Sequence, residues 1–248
     1  MRIHSYLSSL LSIGLLATFT LLASCTVNQK IGHVNTQSVQ IPDSLYPAPG
    51  QRIATHNDFT RRNYPAHIKQ FKARPLEMHD IVFLGNSITQ LGEDWGQRLQ
   101  NPAIKNRGIA GDVTDGVLAR LGEICYVQPT AVFLEIGIND LFNDTLSPER
   151  TARNIIKIAT TIHKQSPKTR FYFESIFPTS KPKLVKRIQR TNELVLRQKP
   201  GKWFHVIDTH QLFADKNDLM IKGYSKDGVH PNEKGYQIWT AHLKKYIK

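Results

Sequence analysis

Four short polar segments of this chain carry residue types that could perform nucleophilic catalysis. Ser87 follows a short apolar run and a glycine, and Gly111 and Asn139 lie in two later polar segments. Asp227 precedes His230 by three positions. A serine hydroxyl attacks a carbonyl when a histidine takes its proton, and an aspartate can orient that imidazole. The Ser87 amide, the Gly111 amide and the Asn139 side chain are three candidate donors to the resulting oxyanion.

Each of these segments also has an ordinary structural interpretation. Serine and histidine are found at helix starts, so Ser87 and His230 could be caps. Asn139 and Asp227 each begin a dipeptide that is common in turns. The four segments together favour catalysis, because they follow different elements and still supply one complete set of roles. Pro231 also predicts that His230 stands at the start of the last helix, where the helix dipole disfavours its protonated form.

Short apolar runs alternate with amphipathic segments along the chain, which is typical of a parallel sheet covered by helices. Strands are predicted at 80–85, 104–107, 131–136, 170–176 and 203–207. Helices are predicted at 57–72 (kinked at Pro65 and covering one sheet face), 95–99, 113–124, 147–164, 184–198 and 231–247. We therefore expect an α/β fold, a three-layer α/β/α domain with a five-stranded, flavodoxin-like sheet of order 2-1-3-4-5. In that order the ends of the first three strands are neighbours, so their polar residues converge on one crevice.

The four segments resemble the sequence blocks of the SGNH (GDSL-type) esterase and lipase superfamily. The matching residues are GNSI around Ser87, NRGIAGD, GIND, and DGVH followed by PNEKGY. The resemblance spans residues 79–247 and is greatest to the platelet-activating-factor acetylhydrolase-like branch and bacterial O-acetylesterases. It implies Ser87 as nucleophile, His230 as base and Asp227 as its orienter, with Gly111 and Asn139 as oxyanion donors. The family's usual aspartate before the nucleophile is Asn86 here.

The N-terminus has the layout of an export signal. Arg2 and His4 precede an apolar run over residues 7–22, and Leu-Ala-Ser-Cys ends at Cys25. This ending resembles the bacterial lipoprotein signal, which implies lipid attachment at Cys25; an uncut membrane anchor is the alternative. We expect a signal peptide over 1–24, a tether over 25–50 and an esterase domain over 51–248. The expected location is the cell envelope, facing the periplasm or the surface, with the outer membrane favoured.

The chain is strongly basic, with 33 Lys and Arg against 20 Asp and Glu and a formal charge of +13. Much of this charge lies in 181–199, which is interpreted as a solvated helix face in preference to a docking surface for anions. No nucleic-acid-binding motif is present. Cys125 is expected to be a buried thiol and Glu135 a structural carboxyl. The polar residues of the 205–210 segment are expected to make hydrogen bonds at the end of a strand rather than to bind a metal. No metal or organic cofactor is expected.

The expected reaction is hydrolysis of short acyl esters, acetyl above all, on O-acetylated glycans. Candidate pocket walls are Trp95, Phe142, Phe177 and Tyr224. A phospholipid or lysophospholipid acylhydrolase is the rival enzyme. The non-enzymatic alternative is a lipoprotein that binds the envelope through its basic helix.

Overall fold

The computed structural model describes residues 40–247, and five parallel strands form one sheet in them. The sheet order is β2-β1-β3-β4-β5, so the predicted flavodoxin-like order is confirmed. The strands are β1 (Ile81–Gly85), β2 (Ile104–Gly108), β3 (Ala131–Glu135), β4 (Arg170–Glu174) and β5 (Phe204–Ile207). Every residue of β1 and β3 is buried, as a central parallel strand with both faces covered requires.

Ten α-helices lie between and around these strands in residues 40–247, on both faces of the sheet. They are α1 (Asp58–Ala73), α2 (Ser87–Gln90), α3 (Trp95–Leu99), α4 (Thr114–Ala119), α5 (Leu121–Val127), α6 (Ile138–Phe142), α7 (Pro148–Gln165), α8 (Pro182–Arg197), α9 (His210–Phe213) and α10 (Glu233–Leu243). No helix in this part of the chain is both long and apolar enough to cross a bilayer.

Aromatic side chains fill the space between one face of the central strands and α3 and α10. Phe83 of β1 contacts Trp95 (ring centroids 4.6 Å apart) and Phe133 of β3 (5.0 Å). Trp95 in turn meets Trp239 edge-on at 4.8 Å. Such ring pairs add specific geometry to a large apolar burial, so they fix the strands that carry the polar segments.

Three predicted helices differ from the structure. The helix predicted at 113–124 is two helices that meet at Arg120, whose side chain turns inward and donates to backbone carbonyls. The first helix continues through Pro65 and packs on Ile109 in a small separate cluster instead of covering a sheet face. The last helix begins at Glu233, after an N-cap at Asn232, instead of at residue 231.

The signal over 1–24, the lipidated Cys25 and most of the tether lie outside the described residues, so they stay predictions. Within 40–50 a 3-10 turn spans Asp43–Leu45. Tyr46, which follows it, is buried and donates its hydroxyl to Glu123 (3.2 Å).

Candidate active site

Ser87 lies at the carboxyl end of β1, as the first residue of α2. Asn86 precedes it and caps this short helix by accepting a hydrogen bond from the Ile88 amide at 2.8 Å. Gly85 is required in the turn, since a Cβ there would lie 2.2 Å from the carbonyl oxygen of Glu135. The result is a tight exit from the sheet that places the Ser87 side chain at the strand edge where α/β folds bind ligands.

The structure brings Ser87, His230 and Asp227 into one hydrogen-bonded chain. Ser87 Oγ lies 2.8 Å from His230 Nε2, and His230 Nδ1 lies 2.7 Å from Asp227 Oδ2. A carboxylate only accepts, so the ring proton is on Nδ1 and Nε2 presents a lone pair to the serine hydroxyl. This is the tautomer in which His230 can act as a general base toward Ser87.

Asp227 stays ionised because of the hydrogen bonds that it accepts. Partial burial alone raises the pKa of Asp227, but the backbone N–H of His230, its ring and the N–H of Val229 outweigh burial and lower that pKa to about 2. A carboxylate that is charged at neutral pH can therefore orient the His230 ring and stabilise its protonated form.

His230 stands on a closed loop and not at a helix start. Ser225 donates its hydroxyl to the His230 carbonyl and accepts from the Gly228 amide, both at 2.8 Å. Gly228, with φ of +83°, accepts a backbone bond from Ser180 (2.8 Å). The predicted helix start at His230 is therefore wrong, because α10 begins only at Glu233.

The three predicted oxyanion donors follow three neighbouring strands. Within residues 40–247, the backbone amides of Ser87 and Gly111 make no hydrogen bond to another loop or to a side chain. Gly111 has φ of +80°, a conformation that suits glycine. Asn139 donates one side-chain N–H to the Asp112 carbonyl at 2.9 Å, which leaves its second N–H for another acceptor. Two free amides and one oriented side-chain donor are the groups that an oxyanion hole needs.

A buried ion-pair network behind these loops was not predicted from the sequence. Arg120 donates to Asp112 Oδ2 (3.0 Å) and to the carbonyls of Gly85 (3.0 Å) and Arg107 (2.8 Å). His56 Nε2 lies 3.1 Å from the other oxygen of Asp112. The network ties β1, which ends two residues before Ser87, to the loop that carries Gly111. His56 is far away in the sequence, and no spacing pattern could have identified it.

Helix α1 supports the same loop from outside. Thr60 donates its hydroxyl to the Gly111 carbonyl (3.0 Å), and Asn63 donates its side-chain amide to the carbonyl of Ala110 (3.1 Å). These bonds fix the peptide planes on both sides of the Gly111 Cα, including the plane that contains the Gly111 N–H. Helix α1 therefore belongs to the supporting structure of the site, a role that its amphipathic sequence pattern does not indicate.

Two of the four predicted pocket walls are wrong. Trp95 and Phe177 are each only 1% exposed, because both pack into the aromatic core, and Trp95 donates its ring N–H to the Thr89 carbonyl (2.8 Å). Phe142 and Tyr224 are half-buried and remain accessible to a ligand.

The other polar candidates have local partners. His210 Nδ1 bonds the Ile176 carbonyl (2.9 Å), and the ring of His205 stacks on Tyr172 at 5.1 Å. No group of three or more His, Cys, Asp or Glu side chains within 40–247 is arranged to hold a metal ion. Cys125 is buried, and burial raises the pKa of its thiol to about 11.

Comparison with known proteins agrees with this geometry. The GDSL-like Lipase/Acylhydrolase family matches residues 83–238, which is more than half of the chain. A Streptococcus pneumoniae protein named for platelet activating factor superposes with a TM-score of 0.67 at 22% identity, covering 77% of this chain and 95% of that one. A GDSL-like lipase from Bacteroides thetaiotaomicron gives 0.65 at 23% identity, with 75% and 97% covered.

An acetyl-xylooligosaccharide esterase from Geobacillus gives a TM-score of 0.56 at 18% identity, covering 68% of this chain and 94% of its own. No curated protein sequence matches the chain. At these identities the superpositions show the fold, and the match to the family shows the reaction class. The chain belongs to the GDSL-like lipase/acylhydrolase family and is an SGNH carboxylic ester hydrolase.

Proposed function

We propose that this esterase removes short acyl groups, acetyl above all, from O-acetylated glycans through an acyl-Ser87 intermediate. The observation that carries the mechanism is the chain of hydrogen bonds from Ser87 Oγ to His230 (2.8 Å) and on to Asp227 (2.7 Å). It supplies a nucleophile, a base and an ionised carboxylate in the correct order for acyl transfer.

In the acylation step His230 Nε2 takes the hydroxyl proton while Ser87 Oγ attacks the ester carbonyl. The oxyanion accepts hydrogen bonds from the amides of Ser87 and Gly111 and from the side chain of Asn139. Protonated His230, held by Asp227, then gives its proton to the departing alcohol. In deacylation a water molecule gives a proton to His230 and attacks the acyl carbonyl. The bond between Ser87 Oγ and the acyl carbon then breaks, and His230 returns the proton to Oγ, which releases the carboxylic acid and restores the Ser87 hydroxyl.

The substrate proposal has two supports. Structural relatives include an acetyl-xylooligosaccharide esterase and an acetyl xylan esterase, both acting on acetylated sugars by name. The half-buried rings of Phe142 and Tyr224 each lie beneath a lysine ammonium, at 5.9 Å from Lys181 and 5.4 Å from Lys234. These two ammonium groups favour a glycan that carries negative charge.

Labelling with a fluorophosphonate tests the mechanism. We expect one label per molecule on Ser87, no label on Ser87→Ala, and greatly slowed labelling of His230→Gln. His205→Gln, which changes a histidine on β5, is the matched control and should label like the wild type. A protein that neither labels nor cleaves any activated ester would support a non-catalytic, envelope-binding lipoprotein instead.

Two substrate assays test the acyl and alcohol parts. We expect rates on 4-nitrophenyl esters to fall steeply beyond butyrate, and acetate release from acetylated xylan to exceed fatty-acid release from phospholipid vesicles. Rates that stay high through octanoate, together with release of fatty acid from lysophospholipid, would instead indicate a phospholipid acylhydrolase.

We also propose that the enzyme is exported as a lipoprotein anchored to the cell envelope through Cys25. The support is the basic start, the apolar run and the Leu-Ala-Ser-Cys ending of the first 25 residues. Mass spectrometry of the membrane-extracted protein should find an N-terminal lipidated cysteine, and Cys25→Ala should lose it. An N-terminal peptide that begins upstream of Cys25 would contradict this proposal.

A further inference from the structure

Asn86 holds the turn that presents Ser87. Its side-chain Oδ1 accepts from the Ile88 amide at 2.8 Å, and its backbone carbonyl accepts from the Gln90 amide at 2.9 Å. Ser87 lies between the two ends of this turn. The orientation of the Asn86 side chain therefore helps to set the direction of both the Ser87 hydroxyl and its backbone N–H.

The other end of the Asn86 side chain meets a buried carboxyl. Glu135 is the last residue of β3, pairs with Gly85 in the sheet register and is 1% exposed. Asn86 Nδ2 and both carboxyl oxygens of Glu135 are buried without a hydrogen-bond partner in residues 40–247. Burial and the nearby Glu174 raise the pKa of Glu135 to about 8, and the Asn86 side chain lowers it. Asn86 follows Gly85, the register partner of Glu135, so its amide lies beside that carboxyl, although no hydrogen bond joins the two groups.

No other side chain in residues 40–247 makes a hydrogen bond to Glu135. Glu174, at the end of β4, accepts from the Trp239 ring N–H at 2.5 Å, and burial raises its pKa to about 8. The Tyr236 hydroxyl of α10 donates to the Ile88 carbonyl (2.8 Å). A buried donor and a buried acceptor that stay unpaired are both destabilising, so we expect these two groups to pair with each other.

We propose that Glu135 is a positioning residue for the nucleophile, whose carboxyl oxygen accepts from Asn86 Nδ2 and holds the Asn86–Ile88 turn. The two residues form a matched pair in which one member supplies the amide and the other the acid. An acid at position 86 would offer Glu135 no amide donor. Because two like charges cannot both be buried here, the two carboxyl groups would share one proton instead. This inference rests on the proposed nucleophile, Ser87.

The acceptor role is tested with Glu135→Met, Glu135→Gln and the control Glu174→Met. Glu135→Met is similar in size and has no acceptor, so kcat on 4-nitrophenyl acetate should fall at least tenfold with KM within twofold. Glu135→Gln keeps an acceptor and should stay within threefold of wild-type kcat. Glu174→Met removes an equally buried carboxyl that makes no hydrogen bond to Asn86, and should stay within twofold. All rates are divided by the number of fluorophosphonate-reactive sites, which removes the effect of unfolded protein.

The pairing is tested by exchanging the two groups. At pH 8, Asn86→Asp should lower kcat at least tenfold, because the two buried carboxyl groups cannot both ionise and the turn then depends on one shared proton instead of the fixed amide donor. Adding Glu135→Gln to it restores an acid beside an amide and should recover most of the activity.

Wild-type kcat in Glu135→Met would overturn the proposal, as would an equal loss in Glu135→Gln or in the Glu174 control. Unchanged activity of Asn86→Asp at pH 8 would overturn the matched pair. Failure of the wild type to label at Ser87 would instead refute the proposed nucleophile, so the two failures are distinguishable.

Discussion

Replacing Arg120 by methionine should strongly destabilise the protein, because this side chain joins β1, which leads to Ser87, to the loop that carries Gly111. The change removes donors from Asp112, which is fully buried, and from the carbonyls of Gly85 and Arg107. Breaking one side of a buried ion pair costs roughly 3–5 kcal/mol. His56 still faces the Asp112 carboxylate, so we expect the lower half of that range, near 3 kcal/mol.

Urea unfolding measures this loss directly, with the midpoint reduced and the slope unchanged. Arg61→Met is the matched control, since its ion pair with Asp58 is exposed and should contribute less than about 1 kcal/mol. Adding Asp112→Asn to Arg120→Met should recover part of the loss, because the unpaired buried charge is then gone. A loss below about 1 kcal/mol in Arg120→Met, or no recovery in the double variant, would refute the reasoning.

Four further outcomes follow from the site. Asn139→Ala should lower kcat about 10²–10³-fold with little change in folding, measured as turnover per fluorophosphonate-reactive site. Gly111→Ala should reduce both activity and the unfolding midpoint, because φ is +80° and the added Cβ would lie 2.3 Å from the Thr60 hydroxyl. Asp227→Asn should lower kcat at least 10²-fold and leave the affinity for a neutral ester nearly unchanged, since the His230 tautomer is no longer fixed. Burial raises the pKa of Glu174 from 4.5 to about 8, so the folded state keeps a proton that the unfolded state releases. The free energy of unfolding of the wild type should therefore fall between about pH 4.5 and pH 8. Urea titrations of Glu174→Gln should show a substantially smaller fall over the same pH range.

The strands and their order could be predicted because the signal is local and strong. The run from Ile81 to Leu84 is apolar at every position and ends at a glycine, so a buried strand and its end are both visible in the sequence. Polar residues after three successive strands then had to share one sheet edge, as Ser87, Gly111 and Asn139 do. The sheet topology therefore brings these three residues, which are distant in the sequence, to one crevice.

The supporting contacts could not be predicted, because they join residues without any fixed spacing. Arg120 fits an amphipathic helix pattern, and only the fold shows that its side chain turns inward and divides that helix. An aromatic residue near a polar segment looks the same whether it lines a pocket or fills the core, which explains the error at Trp95 and Phe177. The sequence Asp-Gly-Val-His-Pro indicates a turn, but not that the bridge between Ser225 and Pro231 closes it before α10 begins.

The site is built from two parts of different stability. The oxyanion side rests on buried groups, with Asp112 and Arg120 nearly inaccessible to solvent. The base side is a surface loop in which the Asp227 side chain is 53% exposed and His230 is 28% exposed. A loop with few buried contacts opens at lower free energy than a core network does. Perturbations of the loop should therefore act on proton transfer while the oxyanion donors stay in place, and perturbations of Arg120 should change both folding and catalysis.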